Sequence, residues 1–420
     1  MSLTKVTYSM IKGAVANVLD FGAVGDGAAD DTVAIQAALD ASSAVYLPAG
    51  NYKITTALDL NVGQHVFGDN YLASQITVVG AIEGLKAVFG VLIETGILIE
   101  NLRIIGDTAT SSNLLVFQRA ANVTIRECNI RNTNQSCLRM DDNCINFLIE
   151  RVRFENFTLY GIEATNFSSA NVVIAPQFDP NGVNGVACFG ITVCESWTVI
   201  GANANGGNLI GFVRGGVGNS SFIDCYAELL DAPAFVSTGG SSFQQLQVIG
   251  GNYNSSDSAI VMDLTAGGTH KNISVRNVRF TGVGVSFGFN PGSSITNFDW
   301  LNNDTDTSSQ VVGFTTTGDV VKQPLADPKI VRYFNNTAGL AAGGTAQVTI
   351  NIGTDFPTTA YDFSFSIEVV GGGENAQNKN EMSYKIDDVT LSSIVFTVTR
   401  TGGTSNQTCY YYVTVFGYAT

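Results

Sequence analysis

From about residue 97 to residue 300 the chain repeats one short arrangement of positions: apolar, x, apolar, x, x, small or apolar, x, apolar. It reads NVTIRECNI at 122–130, NFLIERVRF at 146–154 and NISVRNVRF at 272–280. Looser copies are ILIENLRII at 97–105, VVIAPQF at 172–178, WTVIGANA at 197–204, SSFIDCYA at 220–227, LQVIGGNY at 246–253 and SITNFDW at 294–300. Aligning the second apolar position puts Ile99, Ile125, Ile149, Ile174, Val199, Phe222, Val248, Val275 and Ile295 in one column, about one copy per 24.5 residues. Apolar and polar residues alternate with period two inside each copy, the pattern of a strand with one buried face. A second short strand precedes most copies: LLVFQ (114–118), CLRMD (137–141), YGIEA (160–164), PAFVS (233–237) and AIVMD (259–263). Several short strands per repeat with no helix between them predict an all-β chain built as a parallel β-helix, with like strands stacked ~4.8 Å apart. Nine coils make a rod of about 40 Å. A β-sandwich of regular hairpins is the competing architecture. It calls for frequent two-residue NG or DG turns, and such pairs, Asp26-Gly27 and Asn181-Gly182 among them, are few.

Three positions after the aligned column lie Leu102, Cys128, Val152, Ala202, Cys225, Gly251 and Val278, a row predicted to point inward. Cys128 and Cys225 would then sit four coils apart, ~19 Å, too far to bridge. The seven cysteines are odd in number and contain no CxxC pair, so they read as small buried hydrophobes rather than a disulfide framework. One position after the column stand Glu100, Arg126 and Glu150, an outward ladder of alternating charge.

The N-terminal stretch predicts a cap over the open end of the stack. Asp30 or Asp31 can N-cap a helix starting at Thr32, with Val33, Ile35, Ala38 and Leu39 as its apolar face. The carboxylates of GDGAADD read as turn and cap residues, and GAVGDG lacks the GK[ST] ending of a phosphate loop. The organisation is therefore 1–53 N-terminal segment and cap, 54–300 β-helix, 301–330 neck rich in Asn, Asp, Thr, Ser and Gly, and 331–420 an antiparallel β-sandwich. The last unit rests on AQVTINI (346–352), YDFSFSIEVV (361–370), MSYKID (382–387), IVFTVT (394–399) and CYYYVTVFGY (409–418). Tyr410, Tyr411, Tyr412 and Phe416 are expected in core and inter-chain contacts, with a sugar-binding surface as the other use.

Charge narrows the function. The formal charge is −15, charged residues are 14% and hydrophobic residues 45%, which excludes disorder and a generic nucleic-acid binder. Two histidines, His65 and His270, leave no His-rich zinc site, and neither metal nor cofactor is expected. There is no apolar run long enough to span a membrane, and the first residues lack the apolar segment of a signal peptide.

Outward carboxylates on neighbouring coils are the best candidates for chemistry. In CLRMD, Leu138 and Met140 have core character, so Arg139 and Asp141 face out; in YGIEA one coil later, Glu163 faces out. Asp141 and Glu163 are thus expected side by side with Cβ atoms ~5 Å apart, within reach of both separations that glycosidases use. Asp142 at the corner, Arg139 and Arg119 are candidate substrate-binding groups, and Asp263 lies on the equivalent strand further along. Glu228 and Asp231 in CYAELLDAPAF form a second catalytic candidate. Arg103, Arg119, Arg126, Arg131, Arg139, Arg151 and Arg153 crowd two or three coils of an acidic chain. They make a site for an anionic glycan or simply partner Glu100, Glu127, Glu150 and Glu155.

NVLDFGAVGDG, DDTVAIQAAL and VYLPAGNYKI resemble the opening of the pectate-lyase-like superfamily of right-handed parallel β-helices, and the preceding YSMIKGA resembles the start of bacteriophage tailspike proteins. The resemblance is strong over about 8–54 and extends loosely along the coils to 300. It implies a homotrimeric spike in the virion tail, attached to a tail or baseplate protein through its N-terminus. The implied activity is binding and depolymerising a bacterial surface polysaccharide, capsule or O-antigen, as glycosidase or lyase. A receptor-binding spike without chemistry and a free microbial polysaccharide lyase or hydrolase are the alternatives. The opening motif transfers no catalytic residue.

Overall fold

Period-two alternation on three strands per turn builds a parallel β-solenoid of the right-handed type, seen in a computed structural model of the chain. The structure describes residues 14–180, 185–205, 209, 211–231, 234–238, 241–255, 262–263 and 269–282, then individual strands as far as 419. Each coil has three faces. Strand Leu115–Arg126 shows how the first two join: residues 115–118 pair with Leu138–Asp141, and residues 121–126 pair with Ile145–Glu150 across a corner. We call these the first and second faces. The third face is a sheet of twelve parallel strands, from Asp26–Asp30 to Asp304–Thr305. Parallel pairing already begins at Ala16, opposite Val45, and continues to Val321–Gln323 beside Ser294–Leu301.

The inward residues stack into a continuous core. Ile99, Ile125, Ile149, Val199, Phe222, Val248 and Val275 are fully buried, as are Leu102, Cys128, Val152 and Cys225 in the row beyond. Two members of the aligned column are displaced by one residue or more. Val173, not Ile174, pairs with Ile149 and Val199, so Ile174 points outward; Trp300, not Ile295, pairs with Val275. A corner motif explains the first slip. Two positions after the column each coil turns through a left-handed residue: Asn101, Glu127, Arg151, Ala175, Gly201, Asp224, Gly250 and Asn277. Counting back from Ala175 gives Val173. At seven of these eight corners the N–H donates to a carbonyl of the next coil, as from Ala175 to Ile200, so the corner itself carries the ladder.

Along the axis the core is filled by aromatic rings. Phe154 stacks on Phe178 at 5.2 Å, and edge-on contacts run on through Phe189, Phe212, Phe222 and Phe235 to Tyr253. Such pairs contribute roughly 0.5–1.5 kcal/mol each beyond burial. The six described cysteines are free and buried.

Helix α1, Thr32–Ala41, forms where the polar pattern predicted it and buries Thr32, Ile35, Ala38 and Leu39. Val33 is 82% exposed, because position 33 lies on the opposite side of the helix from 35, 38 and 39. Asp31 does not cap the helix through its side chain. It instead accepts from the N–H groups of Val24 (2.6 Å) and Gly25 (3.1 Å), pinning the preceding turn, while Asp30 accepts from Thr32 N at 3.1 Å. Near the C-terminus the pairing becomes antiparallel: Lys329–Leu340 and Tyr361–Gly371 flank Gln407–Ala419, and Thr345–Asn351 and Met382–Val389 flank Ser393–Arg400. The expected uses of Tyr410, Tyr411, Tyr412 and Phe416 concern side chains outside those described.

Candidate functional site

Outward positions of the first face form two columns parallel to the axis. Strand pairing sets the first as Asp59, Lys86, Val116, Arg139, Glu163, Gly190, Arg214 and Val236, followed by Asp263. The second runs through Gln118, Asp141, Thr165, Thr192 and Gly216. The residue beside Glu163 is therefore Arg139, and the side-by-side placement of Asp141 and Glu163 is corrected. They share the face but lie one strand spacing across and two residues along, ~8 Å apart at the backbone.

Asp141 is fully engaged. Its Oδ1 accepts from Thr165 Oγ1 (2.5 Å) and Asn166 Nδ2 (3.0 Å), and its Oδ2 from Arg139 Nη2 (3.2 Å). Burial pushes its pKa up, but the Thr165 hydroxyl, the Arg139 charge and the Asn166 amide outweigh it and hold the carboxyl below its ordinary 3.8. Such a group stays ionised and orients Arg139. Glu163 accepts one hydrogen bond, from Ser136 Oγ at 2.7 Å.

Two residues absent from the sequence-derived set complete the cluster. Gly190 separates Glu163 from Arg214, and a Cβ on it would meet the Tyr160 ring at 2.7 Å. The ring therefore lies across the glycine, in the gap of ~9.6 Å between Glu163 and Arg214. Burial raises the Tyr160 pKa; the Arg214 charge opposes this and Glu163 adds to it, so both charges act on the phenol. The signal available in sequence was a glycine in an outward strand position, which marks close approach by another group.

The other candidates are placed elsewhere. Arg119 and Asp142, both left-handed corner residues, form an ion pair with each other, and Arg119 Nη1 donates to Phe89 O at 3.1 Å. They fasten three neighbouring corners together. Glu228 lies on the third face, accepting from Tyr226 Oη at 3.0 Å, and Asp231 follows that strand as an exposed residue. Neither joins the first-face cluster. The arginine crowd is divided among all three faces, and six of the seven pair with carboxylates: Arg126 with Glu100, Arg151 with Glu127 and Glu150, Arg131 and Arg153 with Glu155, Arg119 and Arg139 as above. Among the described residues no group of three or more His, Cys, Asp or Glu could hold a metal ion, and no helix is long and apolar enough to cross a membrane.

Residues 15–208 match the family described as rhamnogalacturonase A/epimerase, pectate lyase-like. Mannuronan C5-epimerase AlgE6 of Azotobacter vinelandii is 52% identical over 63 residues, 14% of this chain and 7% of that protein. The solved A-module of that epimerase has a TM-score of 0.51 at 18% identity, covering 71% of this chain and 96% of the module. ORF18 of Geobacillus virus E2 has a TM-score of 0.57 at 16% identity, covering 94% of this chain and 75% of that one. The tailspike gp61 of Pseudomonas phage phi297 aligns at 0.49 and 11%, over 96% of this chain and 99% of that one. The curated relatives match over only 2% to 8% of their own lengths. The fold is a parallel β-solenoid whose N-terminal part, residues 15–208, is similar to the pectate-lyase-like family.

Proposed function

We propose that the first face from Arg139 to Arg214 binds and cleaves a bacterial surface polysaccharide, and that the protein is a homotrimeric spike of a phage tail attached through its N-terminus. The observation that carries the catalytic reading is the Tyr160 phenol, held between Glu163 and Arg214 with Arg139 on the far side of Glu163. The likeness to a phage protein over 94% of this chain supports the tail assignment. Helix α1 serves as the cap, and the two C-terminal antiparallel sheets form the sandwich.

The cluster favours elimination on an acidic sugar. The arginines hold the uronate carboxylate and stabilise the charge that develops on it. A base on the protein takes the proton next to that carboxylate, the C4–O bond breaks, and the departing oxygen takes up a proton. Tyr160 and Glu163 are the groups within reach for those two transfers. Hydrolysis by Asp141 with Glu163 is the second reading, and it would need Asp141 to act from its ionised form.

The test is to incubate the protein with host capsule or O-antigen and follow chain length and unsaturated uronate absorbance. Tyr160→Phe and Glu163→Gln should each lower turnover a hundredfold or more, with glycan retention preserved. Asp141→Asn should match them only if hydrolysis is the reaction. Retention without shortening by the parent protein would establish the non-catalytic spike. Parent-rate cleavage by both variants would move the site off this face, with Glu228 and Asp231 the next pair to substitute.

A further inference from the structure

We propose that the corner beyond this cluster is a separate subsite that seats one neutral pyranose ring against Phe167. The corner joining the first and second faces changes length from coil to coil. Residues 166–168 fill it in one coil and residues 193–194 in the next, where the register shifts at Val193. In the third coil Val213–Ile223 runs straight through, with Gly216 opposite Thr192 and Gly218 opposite Glu195. In the fourth coil Ser241, Ser242 and Phe243 precede Gln244, the partner of Gly218. The result is a notch of about 410 Å³, walled by Phe167 and Val193 on one side and Ser242 and Gln244 on the other, with Gly216 and Gly218 in its floor. That volume falls in the small-ligand range.

The wall residues are unusual for their backbone. Most of the non-glycine residues with left-handed φ are Asn, Asp or other polar types, yet Phe167 has φ 67° and Val193 φ 57°. Bulky and β-branched residues disfavour that region, and strain of this kind collects at functional sites. Both are also exposed, by 63% and 53%. An aromatic ring held outward over a glycine floor presents a flat apolar face, to which the C–H face of a pyranose is complementary. The exposed Glu195 carboxylate and the Gln244 amide supply hydrogen-bonding groups for its hydroxyls. Glu195 is the one charged side chain among the described lining residues, so an uncharged ring fits here and a uronate does not. Phe167 follows Glu163 by four residues across the end of the strand at Thr165, at most ~13 Å, a span that a short oligosaccharide bridges. The subsite thus rests on the glycan reading of the first face and adds the neutral member of a mixed chain.

The test uses immobilised neutral and uronate-containing bacterial oligosaccharides, with Phe167→Asn and Gly218→Val. Asn suits the corner backbone, and a Cβ on Gly218 makes only ordinary contacts, with Glu195 Cβ at 3.4 Å and the Cys194 and Gln244 carbonyls at 3.9 Å, so both variants should keep the parent melting temperature. Each should weaken retention of oligomers bearing a neutral ring at least tenfold, and retention of pure uronate oligomers by less than twofold. Parent-like retention of neutral rings by both variants, or no retention of them by the parent, overturns the subsite. Uronate retention that still depends on Arg139 would show that the first-face reading survives that failure. A change in oligomer mass in either variant would assign the notch to contact with another copy and also overturn it.

Discussion

At the level of single residues, alternation told inside from outside and little more. Arg139, Asp141 and Glu163 were readable as outward because Leu138, Met140, Ile162 and Ala164 had to be inward. Period two fixes the face but leaves a shift of two residues open, and it was that shift which set Arg139, not Asp141, beside Glu163. The Tyr160 ring over Gly190 was not readable, since it depends on two coils meeting. Inward placement has sharp consequences. Burial pushes the Cys128 thiol up to about 12 from an ordinary 9.0, so the folded protein keeps a proton that the unfolded chain gives up above pH 9. Stability should therefore be at its full value below pH 9 and fall as pH rises from 9 towards 12, checked by melting temperature against pH. Cys128→Asp should prevent folding, because an unpaired charge enters the stack. Glu100→Ala should cost about 1 kcal/mol: its side chain is 14% exposed and pairs with Arg126 and His65, but those partners are themselves well exposed. Comparable melting temperatures for the two variants would contradict the assigned core row.

At the level of strands, the stretch VVIAPQF shows where a repeat becomes hard to read. Val172, Val173 and Ile174 are all apolar, so alternation does not choose between two phases. A slip of one residue reverses every side chain. What decides is the corner: Ala175 is left-handed and its N–H donates to the Ile200 carbonyl one coil on, as Asn101 and Arg151 donate to the Arg126 and Ile174 carbonyls. In helix α1 only Val33 departs from the expected apolar face, and helical spacing already puts it opposite Ile35, Ala38 and Leu39. The register yields a paired prediction. Val173→Asp should abolish soluble expression, whereas Ile174→Asp should shift the melting temperature by only a few degrees. Equal losses, or the reverse order, would mean that the strand sits one residue out.

At the level of the whole molecule, the second face offers a reason for assembly that the sequence repeats did not reveal. Its outward column passes from Phe67 through Glu100, Arg126 and Glu150, continues through Ile174, Ile200, Ile223 and Ile249, and returns to charge at Arg276. Four isoleucines on successive coils make an apolar stripe ~14 Å long parallel to the axis. None of the four is buried in the single chain, and Ile200 is 38% exposed. A stripe of this kind on an acidic protein favours contact with like surfaces, and three rods side by side would cover it while leaving the first face open to glycan. The aligned repeats hide this stripe because they place Ile174 in the inward column, whereas it pairs with Glu150 and Ile200. On the trimer reading, Ile200→Asp combined with Ile223→Asp should lower the solution mass from three chains to one while the monomer retains its β-sheet circular dichroism. Removal of 331–420 should give monomer or aggregate if the C-terminal strands contribute as well. A parent protein with the mass of one chain would refute the trimer, and a trimer that survives the double substitution would move its interface off the second face.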